Sequence, residues 1–253
     1  MSIRCLSLLL SLPLLLAAES DSAQPVQGLM ILQAGQASTF ALPLADFGSG
    51  SGQQDMALFQ FNNLFTKHDG LTVYGWQTID SNGTIDWDAT IGYRRPVATL
   101  KHGVISGGTG LQRWHLPSIA HTEDWVLDNS LYYDLPGRFP LSVQANLKTA
   151  VVSNKEFAEG SFLVLTAETS RTLLNKSGYS LSLRHGPTYV HGLGMYSVNG
   201  SRGFRYGGTL TVSHKGFNLA FQGRQQIGLQ AGLKNSIFWG VSLTKVIRVF
   251  GRD

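Results

Sequence analysis

From about residue 56 to residue 250, apolar and polar residues alternate along the chain, with no sustained 3.6-residue period. Successive side chains of an extended strand point to opposite faces, so a period of two encodes a sheet with one apolar and one polar side. Leu141, Val143, Ala145 and Leu147 oppose Ser142, Gln144, Asn146 and Lys148. Phe217, Leu219, Phe221 and Ile227 oppose Asn218, Gln222, Arg224 and Gln226. The same sorting separates Trp87, Ala89 and Ile91 from Asp86, Asp88 and Thr90, and Ile237, Trp239 and Val241 from Ser236, Gly240 and Ser242. Asp69-Gly70, Asn82-Gly83, Pro136-Gly137, Asn199-Gly200 and Lys215-Gly216 punctuate these runs. Such residues accept positive φ or preset a turn, so the runs read as an antiparallel all-β meander of about 10 to 12 strands.

The start of the chain has a different character. Residues 1–18 carry Arg4, an apolar run from Leu6 to Leu16 and small residues at Ala17 and Ala18. That is the layout of a cleaved secretory signal peptide. Cleavage there removes Cys5, the single cysteine, so the exported chain has no disulfide to rely on. Residues 19–54 show little periodicity and end in Gly48-Ser49-Gly50-Ser51-Gly52. They read as a leader or short terminal strand with a flexible Gly/Ser linker, followed by a β domain over 55–253.

Composition narrows the class. Charged residues make up 14% of the chain, against roughly 25% in an average soluble domain. Aromatic content of 10% excludes a disordered chain. Only the N-terminus approaches the run of about 20 apolar residues that a membrane helix needs. The polar face is built mostly of Ser, Thr, Gly, Asn and Gln, and aromatics (Trp87, Trp125, Tyr133, Tyr179, Phe217, Trp239, Phe250) stand near the ends of the apolar stripes. Aromatic girdles at strand ends mark the headgroup levels of transmembrane barrels. An exported chain without a membrane helix crosses a bilayer only as a closed barrel.

Over roughly residues 56–250 the chain thus resembles bacterial outer-membrane β-barrel proteins as a class, in its leader, hairpin meander, alternation and aromatic girdles. The resemblance implies an antiparallel up-and-down transmembrane barrel in the outer membrane, with membrane lipid as a partner, lipopolysaccharide included.

The net charge of +4 conceals a split. Residues 19–170 hold 8 Lys/Arg and 15 Asp/Glu, whereas residues 171–253 hold 11 Lys/Arg and only Asp253. Arg184, Arg205, Arg224 and Arg248 fall on the polar face late in the chain, and Asp86, Asp88, Asp128 and Asp134 fall on it early. If that face lines a lumen, an acidic wall stands across from a basic one, which focuses a field on small polar or anionic solutes. The same charges also suit simple mutual pairing that plugs a narrow barrel. Lys245, in the apolar phase near a strand end, suits lipopolysaccharide phosphates or snorkelling. The stretch 106–124 reads as a long loop carrying Gln112, Arg113, Trp114, His115, His121 and Glu123, the residue types of a constriction or contact loop.

No nucleophile elbow, phosphate-binding glycine loop or clustered metal ligands occur, so no catalytic residue, cofactor or metal is assigned, and no nucleic acid is expected as a partner. A small channel leads the functional readings. A lipid-acting outer-membrane enzyme and a non-conducting structural or binding barrel stand beside it.

Overall fold

The computed structural model describes residues 26–38, 51–65, 68–80, 82–116, 122–137, 140–152, 160–194, 202–228 and 236–250. Twelve strands account for nearly all of them: β1 (Gln27–Ser38), β2 (Ser51–Asn62), β3 (Gly70–Asp80), β4 (Ile85–Leu100), β5 (Gly103–Leu116), β6 (Thr122–Leu135), β7 (Leu141–Val152), β8 (Gly160–Lys176), β9 (Tyr179–Gly194), β10 (Arg202–His214), β11 (Phe217–Gly228) and β12 (Ser236–Phe250). Each pairs antiparallel with its sequence neighbours, and β1 pairs with β12 to close the ring. The result is an all-β up-and-down barrel of twelve strands, at the upper limit of the expected number. No helix among the described residues is long and apolar enough to cross a membrane.

Residues 27–38, expected as a leader or short terminal strand, form a full barrel stave, and the second stave begins at Ser51 inside the Gly/Ser run. The reason for the difference is local. Leu29-Met30-Ile31-Leu32 is a continuous apolar run that hides the alternation, although Ile31 and Leu32 take opposite faces in register with Leu58 and Ala57 of β2. Residues 1–25 and 39–50 lie outside the described residues, the expected signal peptide and most of the linker among them.

The apolar face of the meander points outward. Ile91, Leu131, Phe221, Trp239 and Leu243 are all exposed on it. Asp86, Asp88, Gln112, Asn146, Lys148 and Gln226 are buried on the inward face. The barrel's two ends differ. At one end three turns are tight, 101–102, 177–178 and 215–216, beside longer connections at 63–69 and 136–140; the last two tight turns have positive φ at Ser177, Gly178, Lys215 and Gly216. That conformation matches the twist of two-residue hairpins. The connections at the other end span 39–50, 81–84, 117–121, 153–159, 195–201 and 229–235. Both the start of β1 and the end of β12 lie at the tight-turn end.

Aromatics ring both ends. Phe61 stacks on Phe250 at 5.8 Å and Tyr179 on His214 at 3.9 Å at the tight-turn end. Trp87 stacks on His115 at 5.5 Å near the other end. Lys245 lies at the tight-turn end, its Nζ 3.7 Å from the Phe217 ring centroid and donating to the Lys215 carbonyl at 3.4 Å. The ammonium thus reaches past an aromatic toward the turn, which is the geometry of snorkelling.

Because Ile91 stands mid-strand on the outward face, Ile91→Arg is expected to lower folding stability in lipid vesicles by about 2–4 kcal/mol. A denaturant titration followed by gel mobility of unboiled samples measures it, and a shift below about 0.5 kcal/mol contradicts the assigned faces.

Candidate functional site: the barrel lumen

Around the half of the barrel next to the long connections, inward side chains pack across the lumen. Asp86 and Asp88 near the start of β4, Gln112 and Trp114 near the end of β5, Val126 on β6, Ala150 on β7, Val190 on β9, Arg205 on β10 and Gln226 on β11 are each no more than 5% exposed. Several are held by a continuous hydrogen-bond network. Lys148 Nζ donates to Gln112 Oε1 at 2.7 Å and pairs with Asp128 Oδ2 at 3.0 Å. The Gln112 amide donates to Tyr74 Oη at 2.9 Å and to Thr90 Oγ1 at 3.1 Å, and the Thr90 hydroxyl in turn donates to Asp88 Oδ1 at 2.9 Å. The indoles of Trp76 and Trp114 also hydrogen-bond Asp88. On the far wall Arg205 Nε donates to Gln226 Oε1 at 2.7 Å.

Below this layer a cavity of about 1090 Å³ occupies the lumen alongside β2–β8. Its lining runs from Asn62, His68, Thr99 and Val104 at the tight-turn rim up to Gln112 and Lys148. A second cavity of about 250 Å³ lies against β8–β12, lined by Glu168, Arg184, Arg205, Arg224 and Phe238 among others. Val164 and Thr166 line both, so the two spaces adjoin. Two glycines that line the smaller one are points of close approach. A Cβ at Gly186 would overlap the Ala167 carbonyl, and one at Gly207 would come within 3.1 Å of the Arg224 stem.

The expected acidic and basic walls are both present, and the ring order sets β4, with Asp86 and Asp88, six strands from β10, with Arg205. Acids on the early strands are matched close by: Asp128 by Lys148, and Asp134 by Arg94 at 2.6 Å, with Ser142 donating to Asp134 as well. Arg94 also lies over the Tyr132 ring at 3.9 Å. Of the late arginines, Arg184 meets Glu168 at 3.3 Å and Arg224 packs over Phe238 at 5.2 Å. Arg248 is exposed near the end of β12, opposite Leu29 in register.

The expected loop over 106–124 is corrected. Strand β5 continues to Leu116 and β6 starts at Thr122, leaving only 117–121 as the connection. Its candidates therefore separate. Gln112 and Trp114 enter the buried layer, whereas Arg113 faces outward over the Trp125 ring at 5.5 Å and His115 outward on Trp87. Glu123 sits opposite His115 in register, and His121 lies outside the described residues. The alternation is inverted here, with apolar Trp114 and Val126 inside and charged Arg113 outside, so a polarity pattern could not recover it. Lys148 and Tyr74, which sequence reasoning did not single out as site residues, anchor the network. Among the described residues no group of three or more His, Cys, Asp or Glu could hold a metal ion.

Comparison with solved structures finds the same architecture. LpxR from Salmonella typhimurium superposes with a TM-score of 0.51 at 9% identity, covering 85% of this chain and 99% of that one. The beta domain of the Bordetella autotransporter BrkA gives 0.50 at 9% identity, covering 90% and 100%. An outer membrane channel from Pseudomonas putida F1 gives 0.50 at 13% identity, covering 90% and 100%. No protein-family model and no curated protein matches the sequence. The fold is that of the bacterial outer-membrane β-barrels, and at these identities the likeness is one of fold.

The network makes Gln112 its hub. Replacing it with Leu strips Lys148 of an acceptor and Tyr74 and Thr90 of a donor, with an expected cost of about 1–3 kcal/mol. The melting of the unboiled band reads it out; an unchanged midpoint would show the network to be idle.

Proposed function

We propose that this protein is a narrow channel of the bacterial outer membrane, exported by residues 1–18 as a signal peptide and passing small polar solutes with a preference for anions. The observation that supports it most is the polar cavity of about 1090 Å³ that runs from the tight-turn rim to the buried layer. A barrel serving only as a membrane scaffold has no use for so large a polar void, and its walls carry the hydroxyls and carboxamides that replace a solute's water. Outer-membrane barrels carry short turns on the periplasmic side and longer loops outside. The cavity then opens to the periplasm, and the layer around Gln112, Trp114, Arg205 and Gln226 closes the external side. In this reading the layer is the gate.

Anion preference follows from the placement of charge. Of the acids lining the wide cavity, Asp128 is paired with Lys148 and Asp69 accepts hydrogen bonds from the Leu64 and Phe65 amides and the Tyr93 hydroxyl, while Arg184, Arg205 and Arg224 line the smaller cavity together with Glu168. The net field of the lumen is therefore positive on the β9–β11 side, and low-dielectric walls concentrate it.

Purified protein refolded into planar bilayers is expected to give small, discrete current steps with chloride favoured over potassium. Arg184→Glu combined with Arg224→Glu should move the reversal potential toward potassium. Trp114→Ala, which thins the closing layer, should raise the step size several-fold. Refolded barrels that carry no current at any voltage, in either the native or the Trp114→Ala form, would refute the channel.

A further inference from the structure

On the outward face at the tight-turn end, residues of six adjacent strands pair in one unbroken row. Lys176 of β8 pairs with Tyr179 of β9, Tyr179 with His214 of β10, and His214 with Phe217 of β11. Phe217 in turn pairs with Lys245 of β12, and Lys245 with Leu32 of β1. Residues opposite one another in register share a face. Tyr179, His214 and Phe217 thus form an aromatic ledge, the first two stacked at 3.9 Å. Lys215, exposed in the turn between β10 and β11, stands at the edge of this ledge. The Lys245 Nζ crosses the Phe217 ring and donates to the Lys215 carbonyl at 3.4 Å. No Asp or Glu occurs over residues 171–252 or in β1, so these cations gather on an arc of strands that carries no carboxylate.

Toward the bilayer centre the same face is apolar, with Val212, Leu219, Phe221 and Leu243 exposed. Six residues from the row, Gly208 of β10 pairs with Gly223 of β11 at the floor of a groove of about 400 Å³ edged by Leu183, His185, Tyr206 and Gln225. A Cβ on Gly223 would meet nothing within 4 Å. His185 Nδ1 and Tyr206 Oη hydrogen-bond to each other at 2.8 Å. Six residues are about 20 Å of strand, and a tilt of about 35–45° turns that into about 15 Å of depth. That is half of a hydrocarbon core of about 30 Å. A lipid with its headgroup at the row therefore has its chain ends at the groove.

We infer that the outer face of β10–β12 binds one anionic phospholipid at the tight-turn end, its phosphate at Lys215 and Lys245 and an acyl chain running over Leu219 and Phe221 into the Gly208–Gly223 groove. Rings at the headgroup level and lysines reaching for the aqueous boundary are the two interfacial preferences of a bilayer, and one row of this barrel combines them. The occupant is a phospholipid rather than lipopolysaccharide because short turns mark the periplasmic side, where the leaflet is built of glycerophospholipids. This orientation is shared with the channel reading, but the site stands whether or not the lumen conducts.

Native mass spectrometry of the refolded barrel, titrated in detergent with phosphatidylglycerol, phosphatidylcholine or lipid A, tests it. One phosphatidylglycerol is expected to bind tenfold or more tightly than phosphatidylcholine, and more tightly than lipid A. Lys215→Asn with Lys245→Gln should bring phosphatidylglycerol down to the level of phosphatidylcholine; asparagine is chosen because Lys215 has a φ of 46°. Lys101→Gln, in the turn between β4 and β5 on the opposite side of the ring, should change nothing. Gly223→Leu, which fills the groove, should weaken phosphatidylglycerol several-fold with both lysines in place. Heat-modifiable mobility verifies that each variant is folded, and Lys245→Gln alone replaces the double variant if that one fails to close. Equal binding of phosphatidylglycerol and phosphatidylcholine, or tighter binding of lipid A, overturns the site. So does a preference that survives the loss of both lysines, or that falls as far with Lys101→Gln. The readout involves no current, so its failure leaves the channel standing, and a barrel that keeps the lipid without conducting refutes only the channel.

Discussion

Every backbone amide that enters a bilayer must find its partner inside the protein, since an unpaired one costs several kcal/mol where no water can replace it. The rest of this structure follows from that demand. A meander of eleven hairpin-linked pairs would leave two open edges, and the pairing of β1 with β12 removes both. Closure joins residues at opposite extremes of the chain: Thr244 donates to Gln33 at 3.4 Å, 211 residues away in sequence. It also fixes the stagger of all the strands, and with it which side chains meet inside. Crowding at the seam is tight. A Cβ on Gly35 of β1 would lie 2.6 Å from the Val241 carbonyl of β12, so that position tolerates only glycine.

Closure explains which parts of the architecture were legible in the sequence. Across the middle of the bilayer most inward positions are polar and most outward ones apolar, because lipid and lumen impose opposite demands on neighbouring residues. Leu141 to Lys148 and Phe217 to Gln226 could therefore be assigned to faces without a structure. The rule lapses where the surroundings change. At the interface level the outward face accepts Arg113 and His115, and where the lumen is filled the inward face takes Trp114, Val126 and Ala150. Two strands that obey one geometry then look like a loop. Strand β1 was obscured for a related reason: Ile31, paired with Leu58, and Leu32, paired with Ala57, are both apolar although they face opposite sides. The candidate site was legible as a set of charges on one face. Their partners were not, because cross-strand neighbours depend on the register of distant segments.

Register decides how the charge split behaves. A chain with acids early and bases late could neutralise itself across the lumen, and that arrangement would fill the barrel with ion pairs. Lys148 and Arg94, two of the few bases in the acidic half, lie on strands next to or close by the acids they serve, so Asp128 and Asp134 have cationic partners from their own half of the barrel. Burying an ionised group without a partner is costly, so local pairing also allows the early strands to carry inward charges at all. Glu168 is the exception that the arginine-rich side contributes for itself, and it tempers the field there without cancelling it.

The closing layer combines two kinds of material, and the mixture bears on whether it can open. Val126, Ala150, Val190 and Phe238 are apolar and gain by excluding water, whereas Gln112, Lys148, Asp88, Arg205 and Gln226 are held by hydrogen bonds. A net intramolecular hydrogen bond is worth only about 0.5–1.5 kcal/mol, because water competes for the same groups. Parting the polar contacts next to a hydrated cavity therefore exchanges protein partners for water at small net cost. An all-apolar plug of the same thickness would lose contacts with nothing to replace them. The polar wall beneath the layer supplies that water directly, since the wide cavity reaches Gln112 and Lys148 themselves. In the channel proposed above, a layer of this kind would combine a closed resting state with a low barrier to small solutes that take over the hydrogen bonds they displace.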